Sequence, residues 1–236
     1  MSGTDARGLS ARSREAILGR IAAGLGRARP DGAPVTAVAD RPAEVAARLD
    51  SRARHTLPRV EADLEAQLVR NMEAVQMSVV QLQRAEDVPG AVRSWLEAEG
   101  LVGEITVAPA LAGLDWPEGE DGTGRAWRSG AASGTETTSV TPCLAAVAET
   151  GSVALASGAG TPAALNFLPE NHVVVVRARD IVPHVEDAME RARALDALPR
   201  ALNFVTGPSR TADIEQTLEI GAHGPRRMHV LIVHGG

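Results

Sequence analysis

His-Val-Val-Val-Val, residues 172–176, decides the fold. Four β-branched residues in succession suit a strand, and an unbroken apolar run is what a strand covered on both faces requires. Working outward, similar short runs rich in β-branched residues recur at 101–108, 152–156, 201–205 and 229–233. Helical periodicity lies between them, chiefly at 181–195 and 211–220. Strand alternating with helix predicts an α/β fold with a mainly parallel sheet and right-handed crossovers. The segment 113–139 carries Gly122, Gly124, Gly130 and Gly134 among many Ser and Thr residues and fits neither pattern. A stretch of that length without structure of its own suggests a lid, a partner surface or disorder.

Toward the amino end the texture is different. Ile17, Ile21 and Leu25 recur at every fourth position, and Asp40 with Pro42 makes a helix start ahead of Val45 and Leu49. Leu64, Leu68, Met72, Val75, Val79 and Leu82 then form one apolar stripe, which predicts a long helix. Pro89 and Gly90 mark the change, followed by a helical run at 91–99 that carries Trp95. The expected organisation is an N-terminal helical extension over 1–87, packing on the core or on a partner, and a sheet domain over 88–236.

Composition excludes several functions. The net charge of -6 over 236 residues disfavours nucleic acid as a partner. All basic residues are arginine, so Schiff-base chemistry and a phosphate-loop lysine are absent. Cys143 is the only cysteine; alone it closes no intrachain disulfide and holds neither a Cys-based zinc site nor an iron–sulfur cluster. No window approaches the roughly 20 apolar residues of a membrane span, and no signal peptide is visible, so a cytoplasmic location is expected. The histidines lack metal-binding spacing, so no metal is expected, and no nucleophile-elbow motif marks a hydrolase.

Chemistry is concentrated at three turns. Glu149, Thr150, Gly151 and Ser152 precede a strand; Gly151 lets backbone N–H groups approach a ligand, and Glu149 is a candidate acid, base or nucleophile. Gly207, Pro208, Ser209, Arg210 and Thr211 follow a strand and precede a run read as helix. Free N–H groups at a helix start, together with Arg210, would attract a small anion such as a carboxylate. Ser209 or Thr211 is equally suited to capping that helix, and Arg210 to pairing with Asp213. His223, in Gly-Ala-His-Gly-Pro over 221–225, either lines a site or fixes its loop. Glu170 and His172, on either side of Asn171, are weaker candidates of the same kind.

In order and spacing, Ala-Glu-Thr-Gly-Ser at 148–152, Leu-Pro at 168–169 with the valine run, Gly-Pro-Ser-Arg-Thr-Ala-Asp-Ile-Glu at 207–215 and Gly-Ala-His-Gly-Pro at 221–225 resemble the successive motifs of the LutC/YkgG family, the LUD domain. Ser152 stands where that family usually has threonine, which keeps a hydroxyl. The resemblance covers about 141–233. It implies a fold like the NagB/RpiA/CoA-transferase group and a role as an accessory or substrate-handling subunit in oxidation of L-lactate to pyruvate. It also implies partner subunits that carry iron–sulfur clusters, with no cofactor bound by this chain alone. The alternatives are a stand-alone transferase or isomerase-like enzyme with Glu149 at its centre, and a regulatory module that binds a small anionic metabolite.

Overall fold

The computed structural model describes residues 16–20, 47, 56–212, 218–220 and 223–235. The chain divides into two compact units, Met1–Thr56 and Leu57–Gly236. In the first, residues 16–20 are helical, as the Ile17 run requires; the other helices expected there lie outside the described residues.

Among its described residues the second unit contains three α-helices, α1 (Leu64–Ala74), α2 (Val88–Ala98) and α3 (Val185–Arg193). Its strands before residue 150 are β1 (Ser78–Leu82), β2 (Gly103–Val107), β3 (Gly119–Glu120), β4 (Arg125–Ser129), β5 (Glu136–Pro142) and β6 (Ala145–Val147). After it come β7 (Ser152–Ala156), β8 (Asn171–Arg177), β9 (Ile181–Val182), β10 (Leu202–Val205), β11 (Arg210–Ala212), β12 (Leu218–Ile220) and β13 (Arg227–Val233). Seven strands form the main sheet in the order β1-β13-β8-β5-β2-β4-β3, all parallel except the β3 edge. The expectation of a mainly parallel sheet flanked by helices therefore holds.

Three expectations do not. The apolar stripe over 64–82 is not one helix: α1 stops at Ala74, and Ser78–Leu82 pairs with β13 as an edge strand of the sheet. The helix ends in a Schellman turn, with Met77 N–H bonded to the Met72 carbonyl and Gln76 N–H to that of Glu73. Val79 and Val80 then favour the extended chain. The expected break near 88 thus falls inside a unit that begins at Leu57. Second, 152–156 and 201–205 leave the main sheet and form a second one, β10-β7-β6-β9, in which β7 is antiparallel to both neighbours. Third, where a helix was expected over 211–220, the described residues at either end are strands: β11 pairs antiparallel with β12. The unassigned 113–139 stretch holds β3, β4 and the start of β5.

Side-chain alternation sorts the strands into layers. On β8 and β13, Val174, Val176, Val230 and Ile232 face a core that also takes Leu68 and Met72 of α1 and Val153 and Leu155 of β7. Val173, Val175, Leu231 and Val233 point the other way, onto Val92 and Leu96 of α2. The solid valine run is thus explained by its two covered faces. Ala145, Val147 and Ala154 turn to the far side of the second sheet and meet Ala188 of α3.

Candidate functional site

The turn at 148–151 links the antiparallel pair β6 and β7. Gly151, at φ +68, lies so close to α1 that a Cβ there would stand 2.7 Å from the Asn71 carbonyl carbon. Asn71 locks the turn by donating its side-chain amide to the carbonyls of Ala148 at 2.8 Å and Glu149 at 3.2 Å. Gly207 repeats the arrangement further along: a Cβ there would meet the Val75 carbonyl oxygen at 2.8 Å. Both glycines therefore permit close backbone approach, but to α1 and the turn that ends it.

The two motifs are neighbours because β10 pairs with β7, setting Val205 opposite Val153. Thr150 and Ser152 hydroxyls lie 2.7 Å apart, and the Ser152 hydroxyl lies 2.6 Å from that of Thr206. The Glu149 carboxylate turns elsewhere. One oxygen is 2.7 Å from His184 Nδ1, and the other accepts the Val185 N–H at 3.3 Å, at the start of α3. Both groups of this pair are almost buried.

Arg210 lines an open cavity of about 300 Å³. The loop after β10 contributes Pro208, the start of β11 contributes Arg210, and the entry to β13 contributes Arg226, Arg227 and Met228. The turn after α1 contributes Gln76, the start of β1 contributes Ser78, and α2 and its C-cap contribute Trp95 and Glu99. Among the described residues, three arginines thus line the cavity with one acidic residue, Glu99. Arg227 lies 3.8 Å from Glu99 and donates to Asn171 Oδ1 at 3.3 Å. Among the described residues, Arg210 and Arg226 have no acidic partner within ion-pair distance. Asp213, the expected competitor for Arg210, lies outside them.

Behind the cavity, Trp95 stacks on His229, with centroids 4.9 Å apart and planes 5° from parallel. Ser78 Oγ lies 2.7 Å from His229 Nδ1. Burial pushes His229 down to about 4, so its imidazole is neutral near pH ~7.

The structure brings only part of the sequence-predicted set to this cavity. Arg210 is there. Ser209 braces the loop instead: its N–H donates to the Pro225 carbonyl at 2.8 Å, and its hydroxyl accepts the His223 N–H at 3.3 Å. His223 is exposed on that neighbouring loop. Thr211 lies in β11 opposite Glu219. Glu149, Thr150, Gly151, Ser152 and Gly207 do not line the cavity. The helix-start argument for an anion fails, since β11 replaces the helix; the positive charge comes from arginine side chains. The cavity also adjoins the amino ends of β1 and β13, whereas parallel sheets usually gather ligands at the carboxyl ends.

Gln76, Ser78, Trp95, Arg226, Arg227 and His229 were missed. Ser78 and Gln76 lie in a segment whose spacing reads as helix, and His229 in a run that reads only as strand. The signal that was available is the Arg226-Arg227 pair directly after the 221–225 motif.

Fold and cavity together define an α/β protein with a mainly parallel sheet and an arginine-rich cleft. The LUD domain matches residues 65–233, most of the chain, and the chain belongs to that family. "Lactate utilization protein C" of Geobacillus sp. (strain WCH70) is 36% identical over 91 residues, covering 37% of this chain and 38% of that protein. The protein of the same name from Deinococcus radiodurans is 38% identical over 95 residues, covering 40% of this chain and 45% of that protein. These matches span less than half of either relative's length. The crystal structure of a DUF162 family protein from Deinococcus radiodurans superposes with a TM-score of 0.55 at 25% identity, covering 75% of this chain and 99% of the other. Among the described residues no helix is long and apolar enough to cross a membrane.

Proposed function

We propose that this chain serves lactate utilisation as the subunit that binds the small carboxylate, and that the ligand's carboxylate sits among Arg210, Arg226 and Arg227. The observation that carries this is the charge imbalance among the described residues of the cavity: three arginines against Glu99 alone, two of them without an acidic partner. A guanidinium offers a planar fork of donors that matches a carboxylate. The names of the curated relatives supply the metabolic setting. In this reading the electrons of lactate oxidation pass to iron–sulfur partner subunits. The chain's own cysteine is unsuited to such work: Cys143 is buried, and burial pushes its thiol up to about 12.

Titration calorimetry with L-lactate tests the reading. Arg210 is exposed, so Arg210→Ala is expected to leave the melting temperature unchanged. Affinity should fall by about tenfold or more, as loss of a charge-assisted hydrogen bond of ~1.5–3 kcal/mol implies. Unchanged affinity would overturn the assignment. The stand-alone enzyme with Glu149 as nucleophile finds no support in the geometry, because both carboxylate oxygens are engaged by His184 and Val185 away from the cavity.

A further inference from the structure

Gln76 is the only non-glycine residue with positive φ among the described residues, at +66. It occupies the position of the Schellman turn where glycine is the usual occupant. Glycine adopts that backbone without strain, whereas an L side chain is opposed by its own Cβ. The turn itself therefore gives no reason for a glutamine. What distinguishes glutamine from glycine here is a side-chain amide, on a residue that lines the cavity holding Arg210. Strain held at a ligand site is a recognised pattern when it starts from an observed outlier.

Two residues on, Ser78 lines the same cavity, and its hydroxyl is fixed by His229 Nδ1. His229 is itself clamped by stacking on Trp95. Whichever of the two donates, the Ser78 oxygen keeps hydrogen-bonding capacity for a ligand. The cavity thus combines arginines suited to a carboxylate with a neutral amide and an oriented hydroxyl. Propionate would satisfy the first set and leave the second without a partner.

We infer that Gln76 and Ser78 are the specificity-determining residues of this cavity, reading an oxygen substituent on the carbon next to the ligand's carboxylate. This rests on the carboxylate site proposed above and names the feature that selects within it. Hydroxy and keto acids both meet the requirement, since amide and hydroxyl groups each donate and accept. A site built to hydrogen-bond an oxygen discriminates against the analogue that lacks it.

The test is calorimetric titration of the full chain with L-lactate, pyruvate and propionate. The wild type should bind lactate and pyruvate about tenfold more tightly than propionate, a factor that corresponds to 1.4 kcal/mol. Gln76→Gly should bring lactate affinity down toward that of propionate, leave propionate unchanged, and keep or raise the melting temperature. Gln76→Ala should show the same loss of selectivity with a lower melting temperature than Gln76→Gly, because the Cβ stays. Equal binding of the three acids by the wild type overturns the inference and leaves the arginine site standing. So does a Gln76→Gly variant that weakens lactate and propionate alike, or neither. Binding of none of the three overturns the carboxylate reading as well.

Discussion

Gly151 and Gly119 share nearly the same backbone, at φ +68 and φ +66, but have opposite surroundings. A Cβ at Gly119 meets nothing within 4 Å; at Gly151 it would stand 2.7 Å from Asn71 C, 2.8 Å from Asn71 Cβ and 2.9 Å from Met72 N. Gly119→Ala therefore measures the conformational cost alone. That cost is about 1–2 kcal/mol for an L residue in the left-handed region, less ~0.4–1 kcal/mol from the reduced freedom of the unfolded chain. A net loss of about 1 kcal/mol is expected. Gly151→Ala bears the same cost and must also push a turn off helical backbone, which has no rotamer to change. Overpacking of that kind adds ~1–3 kcal/mol, giving a total of about 2–4 kcal/mol. It also strains the hydrogen bonds from Asn71 to Ala148 and Glu149. Urea denaturation of both variants reads the difference, with the slope m unchanged and the midpoint of Gly151→Ala lower. Stabilities within about 0.5 kcal/mol of one another, the scatter of an ordinary surface substitution, would refute the claim that the 148–151 turn is packed on α1.

The pH dependence follows from two buried imidazoles. Burial pushes His172 down to about 3 and His229 to about 4, while an unfolded histidine titrates near ~6.5. The unfolded chain therefore takes up protons first, and this contribution is full above about pH 6.5 and is lost as the pH falls through about 4 and then 3. His172→Gln should lower stability near neutral pH and flatten its acid dependence; a wild-type midpoint that does not move between about pH 7 and 4.5 would contradict the account. Glu149→Gln removes the carboxylate beside His184 and the start of α3, at 2.7 Å and 3.3 Å. It should reduce stability by about 1–3 kcal/mol and leave lactate affinity as it is. A variant with wild-type stability and no binding would restore Glu149 to the site.

How far the sequence discloses the fold depends on how local the cause is. The alternation of β8 and β13 is written in their residues, because two covered faces demand two apolar sets. The helices α2 and α3 are likewise local, with their apolar faces and their flanking turns. The stripe from Leu64 to Leu82 misleads for a physical reason. Residues 64, 68, 72, 75, 79 and 82 satisfy helical spacing, yet β1 is held by hydrogen bonds to β13, about 150 positions away. No local pattern carries that pairing. The helix expected over 211–220 misleads in the same manner: the sequence spacing reads as a helix surface, and only the antiparallel register of Arg210 with Ile220 shows otherwise.

The candidate site shows the same division more sharply. The sequence marks Arg210 by its motif, but the groups that give the cavity its chemistry come from four separate places in the chain. Ser78 and His229 are 151 positions apart and meet through the parallel pairing that sets them opposite one another in register. The edge strand that sequence periodicity conceals is thus the element that completes the cavity. The Schellman turn ahead of it serves both functions at once: it stops α1 where β1 must begin, and it presents Gln76 beside Ser78. The motif glycines find their role here. Gly151 and Gly207 bring their turns against the end of α1, which seats the turn carrying Gln76 and holds the Arg210 loop next to it. Substituting either glycine should therefore disturb ligand binding without touching a ligand-contacting group, by shifting the Arg210 loop relative to Gln76.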